Sequence, residues 1–233
     1  MTEINQSIER TSPKGWMTAR DADLYEGLLR LLAGRRSGVP LRVVEWGIGR
    51  STLWFPGVLD ASKVPYFWLA LDHDWNFFET EIRGHLVGRS NTLIVKGDEV
   101  ASRMHTVTNH ARGLWAVVYD AGELWPSVEG HERDRDADLD EYVDLPARLG
   151  GTYDLAVIDG RKRRRCLLEA ARILSAGGYA ILHDAWRCHY HCAWNAFQSG
   201  RRFGDEWWIG SQTQTDFTDV LPSHAFQHHR DDE

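Results

Sequence analysis

The amino-acid sequence predicts one α/β domain, built as a doubly wound, mostly parallel sheet with helices on both faces. Three observations predict it. Short runs rich in β-branched and aromatic residues, at 41–45, 66–71, 91–95, 153–158 and 179–182, alternate with segments of helical period. Those runs end alike, on Gly47, Asp72, Gly97-Asp98, Asp159-Gly160 and His183-Asp184, so small or acidic residues gather at one end of the expected sheet. The 233 residues suffice for one such domain and are short for two.

The elements follow in order. Residues 1–17 are polar and read as an N-terminal arm. A helix starts at Thr18 and buries Leu24, Leu28, Leu29, Leu31 and Leu32, with Gly34 as its stop. The run at 41–45 is the first strand, broken by Gly47 and Gly49. A second helix starts near Ser51, with Ser51 or Thr52 as its cap. The strand at 66–71 ends on Asp72-His73-Asp74, and residues 75–87 read as a helix. The strand at 91–95 is closed by Gly97-Asp98. Residues 100–152 form an insertion or lid region. Within it, 114–119 reads as an extra strand, and the charge-dense 129–144 reads as an exposed loop. The strand at 153–158, a helix over 166–174, a stop at 176–178 and the strand at 179–182 complete the pattern. A flexible tail is expected over 222–233.

Composition bounds the function. Hydrophobic residues make up 42%, as in a globular chain. The formal net charge of -7 argues against a general duplex nucleic-acid binder. No run has the length and apolarity of a membrane span, and residues 1–15 lack the apolar stretch of a secretion signal, so a cytoplasmic location is expected. The three cysteines read as reduced thiols, and the 11 tryptophans as core or interface anchors, some of them lining an aromatic cleft.

The turn after the first strand carries the most information. Gly47 and Gly49 allow a tight turn and close backbone approach, while Thr52 stands where a dinucleotide fingerprint has its third glycine. Glu45, at the strand end, would repel a pyrophosphate but can hold a cationic amino-acid head group. S-adenosylmethionine has an ammonium, a sulfonium and no phosphate.

The segment Glu45-Trp-Gly-Ile-Gly-Arg-Ser-Thr52 resembles the first motif of class I S-adenosylmethionine-dependent methyltransferases. Its Gly-x-Ser-Thr ending is similar to the small-molecule O-methyltransferase branch. The resemblance covers roughly residues 40–190, outside the middle insertion, and implies a Rossmann-like fold. It assigns Glu45, Gly47, Gly49, Ser51 and Asp159 to the cofactor cleft. It gives Asp72, with Asp74 as competitor, the ribose hydroxyls, and Asp98 the adenine.

Asp159 and Asp184 end two strands expected to be neighbours, so both carboxylates should face one crevice. This region resembles the metal-dependent catechol-type O-methyltransferases, in which such a pair holds Mg²⁺ and a lysine three residues after the first Asp is the base. Lys162 occupies that place, but Ala185 stands where the family has an amide ligand. Asp159 and Asp184 are thus the candidate metal ligands, and Lys162, His183 and Asp184 the candidate catalytic groups. His183 enters because imidazole titrates near neutral pH. Together with Arg187 and Tyr190, the segment also looks like an uncharacterised branch of the superfamily, which supplies no substrate.

Two further features complete the reading. Arg161–Arg165 is a run of five cations at an expected helix start, where the helix dipole disfavours positive charge. It can receive an anionic acceptor, with Arg161 and Lys162 nearest the crevice, or pair with the acidic insertion through Arg164 and Arg165. Cys188, His191 and Cys192 would share a helical face, either a zinc-binding one or an ordinary satisfied one. The expected activity is methylation, O-methylation above all, of a small hydroxylated or anionic molecule, with S-adenosylmethionine as cofactor and Mg²⁺ as a further one. No membrane partner is expected, and a homo-oligomer is open. The alternatives are an NAD(P)- or nucleotide-sugar-dependent oxidoreductase on the same sheet, and an inactive Rossmann scaffold.

Overall fold

The computed structural model describes residues 15–36, 38–103, 112–122, 124 and 136–227. The expectations for residues 1–14, 125–135 and 228–233 lie outside the described residues. Eight strands form one sheet: β1 (Leu41–Trp46), β2 (Tyr66–Asp72), β3 (Thr92–Lys96), β4 (Gly113–Val118), β5 (Tyr153–Ile158), β6 (Leu174–Leu182), β7 (Ser199–Phe203) and β8 (Trp207–Ser211). Their order is β3-β4-β2-β1-β5-β6-β8-β7. Every pairing from β3 to β6 is parallel, while β8 is antiparallel to both β6 and β7. The fold is the mostly parallel, Rossmann-like α/β sheet that the alternation of elements predicts.

Among the described residues the α-helices are α1 (Ala19–Arg35), α2 (Arg50–Ala61), α3 (Trp75–Phe77), α4 (Arg83–Leu86), α5 (Asp140–Arg148) and α6 (Arg163–Ile173). Side chains alternate across each strand, so the sheet has two apolar faces. Val43, Trp68, Ala116 and Val157 pack on one face with Tyr25, Leu28, Phe55 and Phe78 from the helices. Val44, Trp46, Leu69 and Ile158 pack on the other with Tyr142, Val143, Cys166 and Leu167.

The chain leaves β1 towards β2 and the β3 edge, then returns to β5 on the other side of β1. The winding therefore reverses between β1 and β5. Open α/β sheets bind their ligands at such a reversal, outside the carboxyl ends of the strands. This is where the turn after β1 and the Asp159 turn meet.

Several expectations change in three dimensions. The extra strand at 114–119 exists as β4, and it is wedged between β2 and β3. The helix expected over 75–87 runs from α3 through a π-helical turn at Phe78–Ile82 into α4. The acidic stretch at 129–144 includes the start of α5, whose Tyr142 and Val143 are buried. Residues 188–196 form a 3₁₀ helix, in which positions three apart eclipse. Cys188 then aligns with His191 and Cys192 turns away, and His191 Nε2 lies 3.0 Å from the Ala185 carbonyl. The expected shared face of Cys188, His191 and Cys192 is not formed.

The C-terminal region is more ordered than its sequence suggests. β7 and β8 form a hairpin around Gly204-Asp205-Glu206, and Ser223–Phe226 is a 3₁₀ turn with Ala225 and Phe226 buried. The Gly204 N–H donates to the Ala225 carbonyl at 2.7 Å. Thr18 caps α1 by accepting from the Asp21 N–H and donates its hydroxyl to Asp205 at 2.7 Å. Arg20 pairs with the same carboxylate at 2.9 Å. The hairpin turn and the start of α1 are thus pinned together beside the carboxyl end of β6.

Candidate functional site

The turn after β1 is fixed from below. Glu45 is fully buried and accepts three hydrogen bonds: from Ser51 Oγ at 2.6 Å, Thr52 Oγ1 at 2.8 Å and Trp68 Nε1 at 2.9 Å. Burial pushes its pKa up to about 7, against the pull of those donors. The carboxylate and the Ser51 hydroxyl are therefore engaged with each other at the start of α2. Gly49 is the N-cap of that helix, and its N–H donates to Thr52 Oγ1 at 3.1 Å. Ser51 and Thr52 both stand inside the first turn, where either was expected as the cap.

The two glycines of the turn have different tasks. Gly47 has φ +111, and a Cβ there would lie 2.6 Å from the Gly160 backbone nitrogen. Gly47 therefore lets the β1 and β5 turns cross, and the Asp159 and Gly160 N–H groups both donate to the Trp46 carbonyl. A Cβ on Gly49 would meet nothing within 4 Å. That position borders open space.

Asp72 braces the same turn. Its Oδ2 accepts from the Ile48 N–H at 2.8 Å, and its Oδ1 accepts from the His73 and Asp74 N–H groups at 2.7 and 2.9 Å. A carboxylate offers about four lone-pair positions, so three are spent on backbone and about one remains on Oδ2. Asp74 caps α3 through the Phe77 N–H at 2.9 Å. Asp98 lies in the 3₁₀ turn after the edge strand β3. Because β4 intervenes, Asp98 is one strand farther from the reversal than expected. Tyr119 and Asp120 follow the strand that borders β2.

The carboxyl ends of β5 and β6 bring Asp159, His183 and Asp184 together. His183 Nδ1 is 2.9 Å from Asp159 Oδ1, and its Nε2 is 3.1 Å from Glu206 Oε2 on the hairpin turn. Burial works against an imidazolium, but the Asp159 charge and the hydrogen bonds that His183 donates to both carboxylates prevail and raise the His183 pKa to about 10. Burial alone would also raise the Asp159 pKa, yet His183 and Arg163 hold it below the usual carboxylate range. A histidine that keeps its proton this firmly is not a base near neutral pH, which differs from the role expected of His183. Its ring also packs against Trp207, with centroids 4.8 Å apart.

Arg163 is the residue that sequence reasoning missed. It is the first residue of α6, and Lys162 before it has φ 52, a left-handed conformation that is strained for a side chain of this size. From there the guanidinium turns back over the strand ends. Nε donates to the Gly160 carbonyl at 2.9 Å. Nη1 donates to the His183 carbonyl at 2.8 Å and to Asp184 Oδ2 at 2.9 Å. Nη2 donates to the Asp159 carbonyl at 2.8 Å and lies 3.0 Å from Asp159 Oδ1. Four of its N–H groups thus donate hydrogen bonds, and Nη2 also forms an ion pair with Asp159. Asp184, also left-handed at φ 56, takes a second arginine, Arg187, at 3.1 Å.

The rest of the basic run divides as its position predicts for one member: Arg165 pairs with Asp140 of α5 at 2.7 Å. Glu206 was invisible beforehand because the β7–β8 hairpin was not recognised. The Gly204-Asp205 pair between aromatic-rich runs was the available turn signal.

A Mg²⁺ ion does not fit between Asp159 and Asp184 as they stand. The cation joining those carboxylates is the Arg163 guanidinium, and the next side chain, Ala185, is apolar and buried. Among the described residues, His183, Asp184 and Glu206 have metal-ligand-type atoms within 4.8 Å of one another. His183 there meets carboxylates through both nitrogens, and Asp184 meets two arginines.

No family model and no curated protein sequence matches the chain. Among solved structures it is similar to a methyltransferase-like protein from Silicibacter pomeroyi, at 13% identity and TM-score 0.42, covering 88% of this chain and 95% of that one. It is also similar to a TehB-like SAM-dependent methyltransferase from Corynebacterium glutamicum, at 14% identity and TM-score 0.38, covering 80% and 88%. A third likeness is to an O-methyltransferase family protein from Burkholderia thailandensis, at 13% identity and TM-score 0.37, covering 85% and 60%. No helix among the described residues is long and apolar enough to cross a membrane.

Proposed function

We propose that this chain is an S-adenosylmethionine-dependent methyltransferase acting on a hydroxyl group of a small molecule. The observation that carries the reading is the placement of Glu45. A helix start after the first strand of such a sheet is an anion site, and in dinucleotide enzymes it takes the pyrophosphate. Here the carboxylate beneath α2 is the protein's own, bound through Ser51 and Thr52. A second negative group beside it would be repelled. S-adenosylmethionine carries no phosphate and is cationic overall, its sulfonium and ammonium outnumbering its one carboxylate, and when bound it supplies a methyl group already activated on the sulfonium.

The other residues support the cofactor's placement. Gly49 leaves space beside the turn that follows β1. The remaining Asp72 Oδ2 position, with Asp74 close by, is the acceptor available to a ribose hydroxyl. The antiparallel β8–β7 edge also departs from the all-parallel order of the dinucleotide fold.

For the acceptor, the chain's task is to orient a hydroxyl, exclude water and receive a proton. Asp159 stays ionised at the crevice, with His183 and Arg163 both on its Oδ1. His183, held as an imidazolium, orients Asp159 and Glu206 and stabilises negative charge nearby. Lys162, half-buried at the N-cap of α6, remains a candidate for orienting the acceptor hydroxyl. Arg163 is fully engaged, so it does not serve as a binding group for an anionic acceptor.

The test is calorimetric titration with S-adenosylhomocysteine and, separately, with NAD. Binding of S-adenosylhomocysteine, weakened about tenfold or more in Asp72→Asn, supports the reading. Binding of NAD without S-adenosylhomocysteine rejects it in favour of the oxidoreductase, and binding of neither favours the scaffold.

A further inference from the structure

Two carboxylates at the ends of adjacent strands, only partly exposed, need a cation between them, since like charges brought close resist joint ionisation. A divalent ion with oxygen ligands is one solution. This chain holds another. Asp159 and Asp184 are joined by a guanidinium whose contacts are all within 3.0 Å, and whose other three donors are spent on the carbonyls of Asp159, Gly160 and His183. Those carbonyls belong to the two turns whose spacing sets the crevice.

Two costs mark the arrangement as selected rather than incidental. Arg163 is the first residue of α6, where the helix dipole disfavours a cation. The chain reaches it through a left-handed Lys162, and it follows β6 with a left-handed Asp184 two residues after the strand's end. Lys162 directly precedes Arg163, and Asp184 accepts from its guanidinium. Ala185 follows the same logic: an amide there would serve an ion, and a buried methyl group serves an arginine site equally well.

We propose that Arg163 takes the place of a divalent metal between Asp159 and Asp184, as a positioning residue that fixes both carboxylates and the β5 and β6 turns, so that this site works without a metal ion. The inference rests on the methyltransferase reading for what the site does, but its test requires no cofactor. Because the fork satisfies the carboxylates from one side in a fixed plane, it holds them where an exchangeable ion would leave them dependent on its supply.

The experiment is a Mn²⁺ and Mg²⁺ titration, followed by calorimetry and thermal unfolding, on the wild-type protein and three variants. The wild type should show no binding heat, and neither ion nor a chelator should move its Tm. Arg163→Ala removes the cation the two carboxylates share, leaving Asp159 to His183 and Asp184 to Arg187, so its Tm should fall and should then rise by several degrees with Mn²⁺, which binds only the native state. Arg163→Ala combined with Asp184→Asn should lose that response. Arg163→Lys keeps a charge and three donors and should show no metal response. If Arg163→Ala does not fold, Arg163→Gln, which keeps a donor for the His183 carbonyl, is read the same way.

Stoichiometric Mn²⁺ or Mg²⁺ binding by the wild type would overturn the proposal. So would a folded Arg163→Ala or Arg163→Gln variant indifferent to both ions, since a purely structural arginine predicts lost stability without gained metal affinity. Titration of the same proteins with S-adenosylhomocysteine separates this outcome from a failure of the methyltransferase reading.

Discussion

The proton on His183 is the most consequential charge in the crevice, and its energy can be measured without knowing a substrate. The imidazole pKa rises from 6.5 to about 10 in the fold, where Asp159 faces Nδ1 and Glu206 faces Nε2. Each pH unit between those values corresponds to about 1.4 kcal/mol, so the proton stabilises the protein by about 5 kcal/mol in acid. The folded state binds the proton more tightly than the unfolded chain. The stabilisation is therefore complete below about pH 6.5 and is lost as the pH rises through about 10. Between roughly pH 7.5 and 9 the unfolding free energy should fall by about 1.4 kcal/mol per pH unit.

That window is nearly free of other groups. Asp21 and Glu45, raised to about 6 and about 7, have largely titrated below it. The buried tyrosines Tyr25 and Tyr142 and the thiol of Cys166 are pushed up by burial and contribute mainly above it. The assay is urea unfolding at a series of pH values, with the slope against urea checked for constancy. His183→Gln should lower stability at pH 7 and remove most of the alkaline slope. Equal slopes in the wild type and in His183→Gln, or a flat wild-type profile, would refute the reasoning and return His183 to the list of candidate bases.

Two other outcomes are expected of the β1 turn. Gly47→Ala places a methyl group 2.6 Å from the Gly160 nitrogen at a φ of +111, and should cost at least about 2 kcal/mol in chemical unfolding. Gly49→Val points into open space from extended backbone; it should change stability by less than about 1 kcal/mol yet weaken S-adenosylhomocysteine at least about tenfold. Equal effects of both changes on binding and on stability would show that Gly49 does not border the cofactor. Glu45→Gln tests the buried carboxylate. Because its folded pKa is raised, the wild type should lose up to about 3 kcal/mol as the pH rises from about 4.5 to 7. The glutamine variant should lack that decline and be at least as stable at pH 8, as read by Tm across the range.

Periodicity and strand-end chemistry made the sheet legible. The alternation of runs, the glycines after β1, and the acidic ends of β2, β5 and β6 are local properties, and a residue's type and spacing declare them. The same local signals brought Asp159, His183 and Asp184 to one crevice, because parallel strands align their carboxyl ends. The pairing of Arg165 with the acidic region was legible too, since the two charge runs are opposite in sign.

What the tertiary structure decided is lateral order and side-chain direction. No local signal tells β4 to slip between β2 and β3, and that order alone moves Asp98 outward by one strand. Five cations in a row read alike in sequence. Only the left-handed turn at Lys162 selects Arg163 to reach back over β5 and β6, while Arg165 turns towards α5. Glu206 reaches His183 from a hairpin more than 20 residues later in the chain, and so turns an expected base into a fixed cation. The sequence by itself determined which groups would meet at the crevice. Their protonation and partners followed from burial and from neighbours brought in by the fold, because charges interact through space and not along the chain.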